Sequence, residues 1–202
     1  MTPHSLAFYV DVVTTGTVLG VGPTSPPDRV TGVLGPDFAE NVFGRRSMCR
    51  DYGLAEFFWD RASPEHLWTG HHFTLQVHRL AHRDRTLVGG VLRARYGRFT
   101  PRLRFDKLRR LLDRRGVPLY EIPELQANAP YFRTFWQPDS RVAVCVIGTY
   151  SEYSTPDKLR VGDVYSIQAP LSAEEVEWRE SRGAPSTRPL DASLSPRSRS
   201  PR

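Results

Sequence analysis

Glu56 is the acid in this 202-residue sequence best placed to do chemistry, because it interrupts the otherwise apolar run Leu54 to Trp59. An ionised carboxylate in such a run is costly unless paired or hydrogen-bonded, and the same surroundings can tune a general acid. Catalysis would require a second carboxylate or a histidine beside it, and the sequence nominates Asp51 or Glu121. A structural ion pair with one of the many arginines is the simpler expectation. Five histidines fall between His66 and His82 and raise the question of a metal. His72 and His78 would lie about 20 Å apart on one face of a strand, and no Cys, Asp or Glu joins them at ligand spacing. They read as solvated strand-face residues, with no metal and no cofactor. A serine nucleophile elbow, a phosphate-cradling loop and an HExxH helix are all missing, which points away from an enzyme.

The charge pattern points toward binding. Between Arg79 and Arg115 thirteen basic residues face three acids, a net charge of +10, while the remainder up to Leu171 sums to −5. Such asymmetry bears on partners and association rates rather than on fold. Only Lys107 and Lys158 of the 28 basic residues are lysines, a bias expected of a GC-rich genome. Tyr96 and Phe99 are interleaved with the arginines of the Arg93 to Arg115 stretch, as base-stacking aromatics are, so nucleic-acid binding is the alternative reading. The closing Ser195 to Arg202 segment resembles an Arg-Ser tail, without an RNA-recognition module beside it.

The elements that must position these residues belong to an α+β fold, an antiparallel sheet packed by two short helices. Met48 to Trp59 is the organising stretch: Asp51-Tyr52-Gly53 turns the chain, and Leu54 to Trp59 is the expected sheet centre. Phe8 to Val13 is β-branched and aromatic, hence a strand. Ser25 is the expected N-cap of a helix over 26 to 34 that ends at Gly35-Pro36. Phe38 to Phe43 and Ser47 to Arg50 are extended. His71 to Leu80 alternates and predicts an edge strand, and Leu87 to Leu92 predicts a strand with a glycine bulge. Phe105, Leu108, Leu111 and Leu112 make the buried stripe of a second helix, over 104 to 115. Four further strands are expected at 118 to 122, 131 to 136, 141 to 147 and 163 to 169. The core list is Leu54, Phe57, Leu108, Leu111, Leu112, Val144 and Ile147.

Each half offers a helix followed by strands, so a tandem repeat is open beside simple α+β layering. The expected organisation is one domain over 5 to 170, an exposed helix over 171 to 182 opened by Ser172 and Glu175, and a disordered Ser/Pro/Arg-rich tail over 183 to 202. Cys49 and Cys145 predict two reduced, buried thiols. With no long apolar run and no signal peptide, the expected location is cytoplasmic.

The series Val30 to Asp37 followed by Arg50-Asp51-Tyr52-Gly53-Leu54-Ala55-Glu56-Phe57-Phe58 resembles small bacterial immunity proteins of toxin systems, in which a short helix ending in Leu-Gly-x-Pro-Asp precedes such a hairpin. Here Pro36 follows Gly35 directly, and Arg50 stands where an aromatic is usual. The order of helix and strands is also similar to the beta-lactamase-inhibitor type of domain, which can be duplicated in tandem. Both resemblances imply a non-catalytic module that occludes a partner protein, such as a co-encoded toxin, and neither carries site residues. The expected contact surface is the basic side, Arg93, Arg95, Arg109, Arg110 and Arg114 with Tyr96 as anchor. It suits a partner with an acidic groove, unless docking runs through the acidic remainder.

Overall fold

The computed structural model describes residues 4–84, 86–150 and 158–183. Helices α1 (His4–Thr15) and α2 (Pro27–Leu34) precede strands β1 (Ala39–Phe43), β2 (Ser47–Asp51), β3 (Ala55–Asp60) and β4 (Thr69–Leu75). A 3-10 helix (Val77–His82) leads to α3 (Gly90–Tyr96) and α4 (Phe105–Arg114). Strands β5 (Tyr120–Ile122), β6 (Phe132–Gln137), β7 (Val142–Ile147) and β8 (Val164–Ala169) follow, and α5 (Ala173–Gly183) closes the described chain. The Ser/Pro/Arg-rich tail from 184 onward, including the Arg-Ser-like end, lies outside the described residues.

The eight strands form one antiparallel sheet in the order β1-β2-β3-β4-β8-β7-β6-β5. Two four-stranded meanders, each preceded by a pair of helices, therefore meet last strand to last strand, with Phe73 opposite Ala169 and Leu75 opposite Ile167. The tandem arrangement of helices and strands is present in the connectivity. It moves the centre, however. The strand carrying Glu56 is third from one edge and β7 third from the other, while β4, expected at an edge, is one of the two middle strands.

Cross-strand partners share a face, which sorts the sheet into two sides. Phe57, Trp59, Phe73, Leu75, Phe135, Val144 and Ile167 are buried in the main core with the helices. The opposite face carries Phe58, His72, Thr74, Gln168, Ser166 and Cys145, all of them partly exposed.

Two segments expected to be strands are helices. Phe8 to Val13 lies within α1, where Phe8, Tyr9, Val10, Val12 and Val13 are all buried. A run with only Asp11 left outside the core shows little amphipathic period, so its β-branched residues mimic a strand. Thr14 and Thr15 fit because their hydroxyls donate to the carbonyls of Val10 and Asp11, four residues back (2.7 and 2.8 Å). Leu87 to Leu92 divides: Val88 bridges to Gly53, and α3 begins at Gly90 and buries Leu92 and Tyr96, one helical turn apart.

Three smaller corrections follow. The N-cap of α2 is Pro26 with no side-chain cap, because the Ser25 hydroxyl accepts from the Gly22 N–H (3.1 Å). The Ser25 carbonyl meanwhile accepts from the buried Trp59 indole (2.8 Å). Leu111 is only partly buried, whereas the other six residues of the expected core are buried. In α5 the Ser172 hydroxyl accepts from the Glu175 N–H (3.2 Å), but the helix is not wholly exposed, since Val176 is buried against Ile122, Ala143 and Leu171.

Candidate docking surfaces

Glu56 is committed to a structural network. Its carboxylate accepts from the Arg79 guanidinium and the Gln76 amide, both at 2.5 Å. Arg79 also donates to Asp51 (2.9 Å) and to the Gly53 carbonyl (3.0 Å), and Asp51 accepts the Gly53 N–H (2.7 Å). One guanidinium thus sits between two carboxylates and laces the β2–β3 turn to the 3-10 helix. Of the two acids nominated as a catalytic partner, Asp51 stands opposite Glu56 across β2 and β3, and both carboxylates are paired with Arg79. Glu121 lies on β5 at the far edge of the sheet, gripped by both ends of the Arg133 guanidinium at 2.7 Å. That hydrogen bonding holds the Glu121 carboxyl below its ordinary range.

Among the described residues no group of three His, Cys, Asp or Glu is arranged to hold a metal ion. His72 is part-buried on β4, with Nε2 2.9 Å from the Thr74 hydroxyl. His78 is not on a strand at all; it stacks on Tyr165 at 4.3 Å from the 3-10 helix. Burial, and then the neighbouring His71, pulls the His72 pKa from 6.5 down to about 4. Because the unfolded chain takes up this proton first, the contribution is fully present above about pH 6.5 and is lost as the pH falls toward 4. After discounting for its remaining exposure we expect about 2 kcal/mol. Urea unfolding across that window should show a steeper decline for the wild type than for His72→Gln, and superimposable pH profiles would contradict the assignment.

The thiols are inert for the same reason. Both cysteines are free, and burial, followed by the Glu124 charge, pushes Cys145 up to about 12, while Cys49 is raised chiefly by burial. Cys145 is partly exposed rather than buried.

Arg93 and Arg95 sit on α3, and Arg109, Arg110 and Arg114 on α4; all five are exposed. Both helices touch α1, which packs on β7. Asp11 of α1 ties their C-terminal ends together, lying 3.4 Å from the Tyr96 hydroxyl and 3.3 Å from Arg115. The structure therefore brings the five arginines onto the helical side of the sheet. It does not bring Tyr96 with them: the ring is buried edge-on to Phe8 at 5.2 Å and is no anchor. Phe99, the other supposed stacking residue, is also buried, against Phe8 and Tyr9. Next to α3 lies a cavity of about 600 Å³ with Leu80, Val88 and Phe99 in its lining and Arg83, Asp84, Arg93 and Arg98 around it.

The polar side of β4 was legible in the alternation of Phe73-Thr74-Leu75, whereas that of Tyr165-Ser166-Ile167-Gln168 on β8 escaped the reading of the sequence. The 3-10 helix covers one end of this face through His78 on Tyr165, and α5 covers the β5 side through Val176. No helix of the described residues is long and apolar enough to cross a membrane. No protein-family model, curated protein or solved structure matches the chain.

Proposed function

We propose that this chain is a non-catalytic protein-binding module acting in the cytoplasm, which occludes one partner protein in the manner of an immunity protein. Its contact surface is the basic side carried by Arg93, Arg95, Arg109, Arg110 and Arg114. The observation that carries this reading is how the charges are disposed of inside the fold. Asp51 and Glu56 are taken up by Arg79, Glu121 by Arg133 and Asp163 by Arg102, while the α3 and α4 guanidiniums stay exposed on one side. Such a surface suits steered docking onto an acidic groove. The adjoining cavity, where Arg83, Arg93 and Arg98 outnumber the single acid Asp84, offers a place for an acidic side chain of the partner.

The test is capture of a co-encoded toxin. Arg110→Glu with Arg114→Glu should weaken capture by on the order of 100-fold, mainly by slowing association, and should reduce its salt dependence. Arg110 donates only to the Asp106 carbonyl and approaches its carboxylate on an exposed turn, so the melting temperature should hardly move. Undiminished capture by the double variant would remove the basic side as the contact surface. Salt-sensitive binding of DNA or RNA, abolished by Arg109→Glu, Arg110→Glu and Arg114→Glu together, would replace the reading with nucleic-acid binding. Turnover of a small molecule lost on Glu56→Gln would replace it with an enzyme.

A further inference from the structure

The two edges of the sheet are managed differently. At one edge β5 is only three residues long, and short strands blunt an edge. At the other, β1 runs for five residues, Ala39 to Phe43, and every one of them is exposed. Val42 and Phe43 are 52% and 59% exposed. The strand holds no proline and no lysine or arginine, and its pairing with β2 is uninterrupted from Ala39–Asp51 to Phe43–Ser47, so no bulge twists the edge away. A row of backbone N–H and C=O groups on its outer side is thus left as a template for another strand.

We propose that β1 pairs with β1 of a second copy of this chain, antiparallel about a twofold axis at Asn41, joining the two eight-stranded sheets into one. The register follows from the strand itself. Centring on Asn41 is the one antiparallel register that pairs all five residues with one another: Phe43 meets Ala39 of the second copy, Val42 meets Glu40, and Asn41 meets itself. The exposed Phe43 ring lands beside the smallest side chain of the strand, which leaves it room to lie flat across the joint.

The flanking charges fit the same register. Asp37, just ahead of β1, and Arg45, in the β1–β2 turn, stand four residues before and after Asn41, so each Asp37 comes to the same end of the joint as the other copy's Arg45, twice per dimer. Both residues are exposed and, among the described residues, neither makes an ion pair within its own chain. The Arg45 carbonyl is held by Arg61 (2.9 Å), which fixes the turn that carries Arg45. A slip of one residue in either direction sets Asp37 against Gly44 or Arg46 and strands one residue of β1 without a partner. Because an antiparallel joint of this kind keeps like faces on the same side, both helical layers, with their arginines, would lie on one side of the joined sheet.

Sedimentation velocity on the full chain tests this. The wild type should pass with concentration from the 23.0 kDa monomer to twice that mass. Asp37→Arg and Arg45→Asp each set like charges opposite one another at both ends of the joint, and each should dissociate about ten-fold more readily. When the two variants are mixed, the arginine introduced in one faces the aspartate introduced in the other, and the remaining native Arg45 faces the remaining native Asp37. A heterodimer of wild-type strength should therefore form from the two weakened proteins. Unchanged thermal melts of the two variants would show that the fold is intact, and Val42→Lys, which puts a charge on the joint itself, gives an independent disruption. A chain that stays monomeric up to about 0.1 mM overturns the proposal and leaves the edge to a strand of some other protein. So does a dimer that neither single variant weakens, or a mixture that fails to re-form it. Loss of toxin capture with dimerisation intact, or the reverse, separates this proposal from the functional one.

Discussion

Arg102→Ala should lower the unfolding free energy by about 3 kcal/mol, measured by urea denaturation at neutral pH. Its partner Asp163 is fully buried, and Arg102 donates to both carboxylate oxygens, at 2.5 and 3.1 Å. The Arg160 N–H supplies a third hydrogen bond at 2.9 Å. Removing the guanidinium would leave an uncompensated buried carboxylate, which is the expensive way to break a buried pair. Arg104, whose Nε lies 3.9 Å from the same carboxylate, compensates only in part and keeps the loss near the lower end of the range for such pairs. The damage should spread along the chain. Leu103 accepts the Val164 N–H and Phe105 donates to Gly162, so the segment leading into α4 is laced to the start of β8 beside this pair. Arg102→Ala should therefore also loosen the first turn of α4, seen as faster amide exchange there. A cost below about 1 kcal/mol would mean that Asp163 has found water or another cation.

Local pattern carried most of the elements, and burial decided where it failed. Val142 to Ile147 is apolar on both faces because β7 is covered on both, and the Asp51-Tyr52-Gly53 turn is legible because its own aspartate caps it. Phe8 to Val13 misled for a physical reason: burial of every residue but Asp11 hides the period of 3.6 that would mark a helix, and intrinsic propensities are too weak to restore it. In α3 only Leu92 and Tyr96 are buried, two anchors in seven residues, which is too little signal to outweigh two glycines at its start. The place of β4 in the sheet was not legible at all, since one wet face looks the same whether the neighbour is solvent or β8. That pairing joins Leu75 to Ile167, and nothing local encodes it.

The candidate surface divides along the same line. Net charge is additive and can be read from composition, so the basic stretch was visible. The direction in which a ring points is set by tertiary packing, so Tyr96 was taken as a surface anchor when it belongs to the core, as does Phe99. Glu56 was recognisable as an acid needing a cation, but Arg79, 23 residues on, could only be identified once the 3-10 helix was seen to fold back over the hairpin turn.

The same turn is where a single methyl group should do most harm. Gly53→Ala should cost about 4 kcal/mol, whereas Gly44→Ala, in the β1–β2 turn, should cost about 1 kcal/mol. Both glycines have positive φ, +83° and +61°, so the strain of holding an L side chain there is common to the two. Their surroundings differ. A Cβ on Gly44 would meet nothing within 4 Å, while one on Gly53 would overlap the Leu87 carbonyl, which is backbone and cannot swing aside. That contact belongs to the bridge between Gly53 and Val88, two residues ahead of α3. Relieving the overlap would push the 87–88 segment off the hairpin turn and shift the helix that carries Arg93 and Arg95. The difference between the two glycines in urea unfolding thus isolates the close approach from the positive φ. Equal costs would show that segment 87–88 yields freely. A large difference, accompanied by weaker capture of the partner under conditions where Gly53→Ala is still folded, would show that the hairpin turn sets the position of the basic surface.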